Sequence, residues 1–180
     1  KPVSAAIGDF PYKPGGAALA AYGAACAGAD YIKIGLKFDG EEQACDVIAA
    51  VVKAVKDEFP EKKVVIAAYS DYKRMRTISP FVMAPIAAGL GADLAMVDTG
   101  IKDKKSTFAF MSEQELAAFT ELNTGLGLQT ALAGALKFED LERLKRINPA
   151  IIGVRGMVCG GDRNATIRKE LVQAALDKIR

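Results

Sequence analysis

Histidine is absent from all 180 residues. The usual proton-transfer side chain at neutral pH and the commonest metal ligand are therefore both missing, and acid–base work falls to Lys, Asp, Glu, Tyr or Cys. Cysteine is scarce. Cys26, Cys45 and Cys159 are far apart and show no Cys-x-x-Cys spacing, which argues for reduced, buried thiols in a cytoplasmic protein and against a disulfide framework or a metal centre. No run of about 18 uncharged apolar residues occurs, so no segment is built to span a bilayer as a helix. A net charge of +2 gives no electrostatic reason to bind nucleic acid or a membrane surface. No secretory leader is visible, and the chain begins at Lys1 rather than Met.

What is present is enough apolar residue, 51% of the chain, to bury one core, so residues 1–180 are expected to form a single domain. Short strand-like runs alternate with longer helical patterns. The runs are VSAAIG from Val3, DYIKIGL from Asp30, KVVIAAY from Lys63, DLAMVDT from Asp93, LQTALAG from Leu128 and IIGVRG from Ile151. They recur at roughly the 30-residue spacing of a βα unit. Ala44, Val47, Ile48, Val51, Val52 and Val55 trace one helical face; Ile167, Leu171, Ala175 and Ile179 trace another. Pro80, Pro85 and Pro149 are expected near helix starts or strand approaches. Gly-Ala-Asp occurs at residues 28–30 and 91–93, each time before a strand, as though one αβ turn were used twice.

Consecutive βα units imply an α/β protein with a parallel sheet covered by helices. An open doubly wound sheet would favour a Gly-x-Gly-x-x-Gly turn after the first strand, and none is present. A TIM (β/α)8 barrel instead puts polar residues at several strand C-termini and an anion site after the last two strands, and the sequence has both. On this basis the chain is expected to supply about six βα units, the C-terminal three quarters of such a barrel, with the first two units missing.

Lys33 interrupts the apolar run ADYIKIGL, where an ammonium is costly unless paired or employed. Strand alternation puts Ile32, Ile34 and Leu36 toward the helices, and Tyr31, Lys33 and Gly35 toward the barrel lumen. Asp98 closes its strand, and Lys102 follows after a short loop. Two lysines and a carboxylate at one rim suit proton transfer and imine chemistry. The alternatives are a buried ion pair that only fixes geometry and, for Lys102 with Lys104 and Lys105, a solvated loop. Gly134, Arg155, Gly156, Gly160 and Gly161 follow the last two strands. Glycine amides before a helix capped by Asn164, with the Arg155 guanidinium, fit a phosphate; ordinary tight turns are the alternative. Asp9, Lys13, Tyr69, Asp71 and Tyr72 also border the mouth, and no pattern chooses among them.

The blocks GDFPYKPG, GADYIKIGL, AMVDTGIKD, ALAG and GVRGMVCGGDR, in this order, closely resemble the (5-formylfuran-3-yl)methyl phosphate synthase family, archaeal and methylotroph barrels of methanofuran biosynthesis. The resemblance implies a carbon–oxygen lyase that condenses two molecules of glyceraldehyde 3-phosphate to a phosphorylated furan aldehyde. Phosphate and water are lost, and no cofactor or metal is implied. It implies catalytic roles for Lys33, Asp98 and Lys102, and phosphate-binding loops at Gly134, Gly160 and Gly161. The expected partner is a triose phosphate, with neither nucleic acid nor membrane, in a homo-oligomer. Family members begin with two more βα units, the first carrying the expected Schiff-base lysine in a Lys-x-Pro-x-x-Gly segment, on the order of 50 residues by the βα repeat. Another class I aldolase-like barrel, or a non-catalytic barrel that binds a phosphometabolite, are the competing assignments.

Overall fold

The structure is a computed structural model that describes residues 1–179. Its strands are β1 (Ser4–Phe10), β2 (Tyr31–Leu36), β3 (Lys63–Tyr69), β4 (Leu94–Asp98), β5 (Gln129–Leu132) and β6 (Ile151–Ile152). They form one sheet in chain order, and each neighbouring pair is parallel. The helices are α1 (Pro14–Cys26), α2 (Glu41–Lys56), α3 (Tyr72–Met75), α4 (Pro80–Gly89), α5 (Glu113–Gly125), α6 (Leu141–Ile147) and α7 (Lys169–Ile179). The larger helices pack in series, α1 on α2, α2 on α4, α4 on α5, α5 on α6 and α6 on α7. None of the described helices is long and apolar enough to cross a membrane.

The strand pattern divides the sheet into two faces. Ile32, Ile34, Leu36, Val64, Ile66, Ala68, Ala95 and Val97 join the buried α2 stripe Ala44, Val47, Ile48, Val51, Val52 and Val55 in the main core. Val65, Leu94 and Ala131, with Tyr31 and Met96, form a second cluster on the opposite, inner face. Lys33 stands in register with Val65 and so belongs to that inner face, as alternation requires.

Both Gly-Ala-Asp segments make the same turn. Gly28 (φ 94°) and Gly91 (φ 84°) occupy the left-handed region, and the following Ala29 and Ala92 amides donate to the carbonyls of Ala24 and Ala87. The aspartates then latch the neighbouring strand. Asp30 accepts from the Val3 amide at 2.6 Å and Asp93 from the Val64 amide at 2.8 Å. Asp93 also binds Lys56 and Lys63, and although burial pushes its pKa up, those lysines and the Val64 amide bring it below the usual carboxylate range.

Four sequence expectations need correction. The last strand ends at Ile152 rather than continuing through Gly156. Gly153 still donates to the Leu132 carbonyl, but Arg155 has φ −135° and ψ −76°, outside strand geometry, so strand parity does not set its direction. Pro85 lies inside α4, on its exposed side, where the carbonyl it leaves unpaired can meet solvent. Ile167 precedes α7 and is 57% exposed, so only Leu171, Ala175 and Ile179 of that stripe pack inward. Only Cys159 is a buried thiol; Cys26 and Cys45 are free and exposed.

Removing the Asp93 carboxylate strips one strand amide and two ammonium groups of their partner at once. Asp93→Ala is expected to destabilise the protein by about 3 kcal/mol, and Asp30→Ala, which releases one exposed amide, by about 1 kcal/mol. Urea unfolding of the two variants measures both; equal losses would show that Asp93 has no special place.

Candidate active site

Lys33, Asp98 and Lys102 do meet. Lys33 projects from β2 and its Nζ donates to Asp98 Oδ2 at 3.0 Å. Lys102, in the loop after β4, donates to Asp98 Oδ1 at 3.2 Å and also to the Thr99 carbonyl. The Thr99 amide gives Oδ1 a further bond at 2.7 Å. Lys33 crosses β3 to reach its partner, and the inward residue of β3 at the height of Gly35 and Met96 is Ala67, whose methyl leaves room. Side-chain exposure is 20% for Lys33, 17% for Asp98 and 44% for Lys102, so one ammonium is sheltered and the other open to solvent. Burial alone would raise the Asp98 pKa; the Lys33 and Lys102 charges and the Thr99 amide outweigh it and hold the carboxyl below the usual range.

A residue that strand patterning could not single out shapes this loop. Asp71, 1% exposed just after β3, accepts from the Gly100 amide at 2.7 Å and the Ile101 amide at 3.1 Å. It thereby fixes the backbone between Asp98 and Lys102. Its only signal in the sequence is a carboxylate shortly past a strand. The loop is tied again by Thr107, whose amide donates to the Gly134 carbonyl at 2.9 Å and whose hydroxyl donates to the Ala133 carbonyl at 2.5 Å.

The glycines divide into two groups. Gly134 (φ 101°) is buried beside the charged cluster, and a Cβ there would lie 2.4 Å from Thr107 Oγ1 and 2.7 Å from the Thr99 amide nitrogen. Close packing therefore demands glycine at this position. Gly156, Gly160 and Gly161 form a separate loop after β6, in which the Gly160 and Gly161 amides both donate to the Gly156 carbonyl. The Arg155 Nε donates to the Arg163 carbonyl at 2.8 Å. The expected helix cap at Asn164 is not formed: its amide donates to Asp162 Oδ1, and α7 begins only at Lys169. Lys13 is exposed. Among the described residues no three Cys, Asp or Glu converge as a metal site.

A surface hollow of about 800 Å³ lies elsewhere. Asp39, Tyr72, Arg76 and Ser79 are among the residues that line it, and none of Lys33, Asp98 and Lys102 does.

The 4-HFC-P synthase family model matches residues 1–176. Curated relatives named (5-formylfuran-3-yl)methyl phosphate synthase include those of Methanosarcina mazei and Archaeoglobus fulgidus. The first is 60% identical over 96% of this chain and 74% of its own length. The second is 47% identical over 99% and 77%. Among solved structures, a 3-hexulose-6-phosphate synthase aligns with TM-score 0.63 at 21% identity, over 92% of this chain and 70% of its own. A mandelate racemase/muconate lactonizing enzyme from Roseiflexus sp. aligns at 0.59 and 15%, over 99% and 46%. At such identities the two structures bear on fold alone.

Because the Asp98 pKa is depressed in the folded protein, its ion-pair stabilisation is complete above the ordinary Asp value of about 3.9 and is lost as pH falls through the lower folded value. Asp98→Asn is therefore expected to cost about 3 kcal/mol at pH 7, and the difference from the parent should shrink below about pH 4. Urea titrations across that range check it; a pH-independent difference would contradict the assignment.

Proposed function

The chain belongs to the 4-HFC-P synthase family, and from that premise we propose that it makes (5-formylfuran-3-yl)methyl phosphate for methanofuran biosynthesis by condensing two molecules of glyceraldehyde 3-phosphate. Two trioses supply six carbons and two phosphates. Aldol addition joins them, and loss of one phosphate and two waters leaves an aromatic furan aldehyde with one phosphate. No step needs an oxidant.

The observation that carries this reading is the Asp98 carboxylate shared by Lys33 and Lys102 at the C-terminal end of β4. In the free protein the paired carboxylate is a weak base, because two ammonium groups stabilise its ionised form. An arriving phosphate competes for Lys102, the more exposed of the two. Its withdrawal from Asp98 raises the basicity of the carboxylate just when a C–H next to a carbonyl must be deprotonated. Lys33 remains to protonate or hydrogen-bond the oxygen that develops charge, and Lys102 stays with the departing phosphate. A lysine imine would activate one triose for addition.

We assign Gly134, Arg155, Gly156, Gly160 and Gly161 to the substrate phosphates. The Gly160 and Gly161 amides can serve only after the turn onto the Gly156 carbonyl opens. The in-order parallel sheet is the wall of a (β/α)8 barrel in this reading, with the Lys33 group at the catalytic mouth.

Lys33→Met and Asp98→Asn should each lower furan formation by at least about 100-fold while the variants stay folded. The assay follows furan absorbance and phosphate release from glyceraldehyde 3-phosphate with full-length protein. A parent protein that yields a different condensation or cleavage product would refute the proposed reaction; variants with near-parental rates would remove these residues from it.

A further inference from the structure

A second polar pair lies near the Lys33 group, and the reaction as described does not use it. In β1 the register with β2 slips between Ala6 and Gly8: Ala6 pairs with Lys33, Gly8 with Ile34 and Asp9 with Gly35. Uninterrupted alternation from Ser4 and Ala6 would put Gly8 on the inner face and turn Asp9 toward the helices. The bulge, with Gly8 at φ 123°, reverses this and places Asp9 on the inner face beside Gly35. Asp9 forms no salt bridge among the described residues, and the bulge turns its carboxylate toward a polar neighbour that carries no charge, the Tyr69 hydroxyl.

The second member is Tyr69, at the end of β3 in register with Asp98. It is 2% exposed, yet its hydroxyl meets no hydrogen-bond partner of good geometry among the described residues. Leaving a buried hydroxyl unsatisfied costs about 1–3 kcal/mol. Burial, and after it the Asp9 carboxylate, drive the phenol pKa far above its ordinary range, so the group stays a neutral O–H donor. Gly35 keeps the space between the two open. A Cβ there would lie 2.3 Å from Asp9 Oδ1 and 2.4 Å from the Tyr69 hydroxyl. Tyr69 thus supplies a donor and Asp9 an acceptor across a gap that only glycine permits.

We propose that Asp9 and Tyr69 form a further substrate subsite that recognises an α-hydroxycarbonyl group, Tyr69 donating to the carbonyl oxygen and Asp9 accepting from the adjacent hydroxyl. This deepens the triose-phosphate reading and rests on it. With Tyr69 level with Asp98, the carbonyl held by the phenol presents its neighbouring carbon to the carboxylate. The subsite sets which end of the triose faces Asp98, while the phosphate is bound by other groups.

The test is equilibrium binding by calorimetry of two probes, dihydroxyacetone phosphate, which has the α-hydroxycarbonyl, and glycerol 3-phosphate, which lacks the carbonyl. Parent, Tyr69→Phe and Asp9→Ala full-length proteins are compared. Tyr69→Phe should weaken dihydroxyacetone phosphate binding about tenfold and leave glycerol 3-phosphate binding unchanged. Its melting temperature should equal or exceed the parental one, because an unsatisfied hydroxyl is removed. Asp9 is exposed, so Asp9→Ala keeps the test available if Tyr69→Phe folds poorly; it too should weaken dihydroxyacetone phosphate binding. Unchanged binding of both probes, or equal loss of both in Tyr69→Phe, overturns the subsite. Furan formation by the parent protein is scored separately. A parent that makes no furan but discriminates the probes through Tyr69 would sink the synthase reading and spare the subsite.

Discussion

Two ammonium groups on one carboxylate are the constraint around which the C-terminal edge of the sheet is arranged. At an effective dielectric of about 20, unit charges 3 Å apart attract by roughly 5 kcal/mol, comparable with the several kcal/mol lost when each ion leaves water. Such a group adds little net stability. It can persist only where backbone geometry brings its members together at no further cost. Here β2 supplies Lys33, β4 supplies Asp98, and the loop after β4 folds back to deliver Lys102. Asp71 holds that loop by two amides, and Thr107 braces it against the carbonyls of Ala133 and Gly134, just past β5.

The two sheet faces make opposite demands. The helix side is a conventional apolar core in which alternating Ile and Val residues of β2 and β3 meet the α2 stripe. The inner side is apolar at Val65, Leu94 and Ala131; Lys33, level with Val65, and Asp9, level with Gly35, interrupt it, and β3 and β4 end on the polar Tyr69 and Asp98. Parallel topology brings these polar ends together: every strand ends at the same edge, so Tyr69 and Asp98, the last inward residues of β3 and β4, stand side by side.

Much of this is legible in the sequence because period-two alternation is a strong signal in buried parallel strands. The inward direction of Lys33, the convergence with Asp98 and Lys102, the α2 stripe and the twice-used Gly-Ala-Asp turn all follow from local pattern. Other features do not. The bulge that redirects Asp9 leaves no mark beyond a glycine, which strands tolerate for several reasons. Asp71 looks like any polar residue after a strand until the amides of Gly100 and Ile101 arrive from elsewhere in the chain. Ile151 to Gly156 reads as alternation and so suggests a longer final strand, whereas the backbone turns at Arg155 to form the Gly156 loop. The glycines there look like free anion donors in the sequence, but their amides close a turn among themselves.

The most direct measurement is a crystal structure of the full-length protein with dihydroxyacetone phosphate bound. The triose is expected on the inner face, its phosphate drawing Lys102 away from Asp98 and its carbonyl beside Tyr69. A triose seated in the hollow lined by Asp39, Tyr72, Arg76 and Ser79, with the Lys33–Asp98–Lys102 group undisturbed and unoccupied, would contradict the central claim.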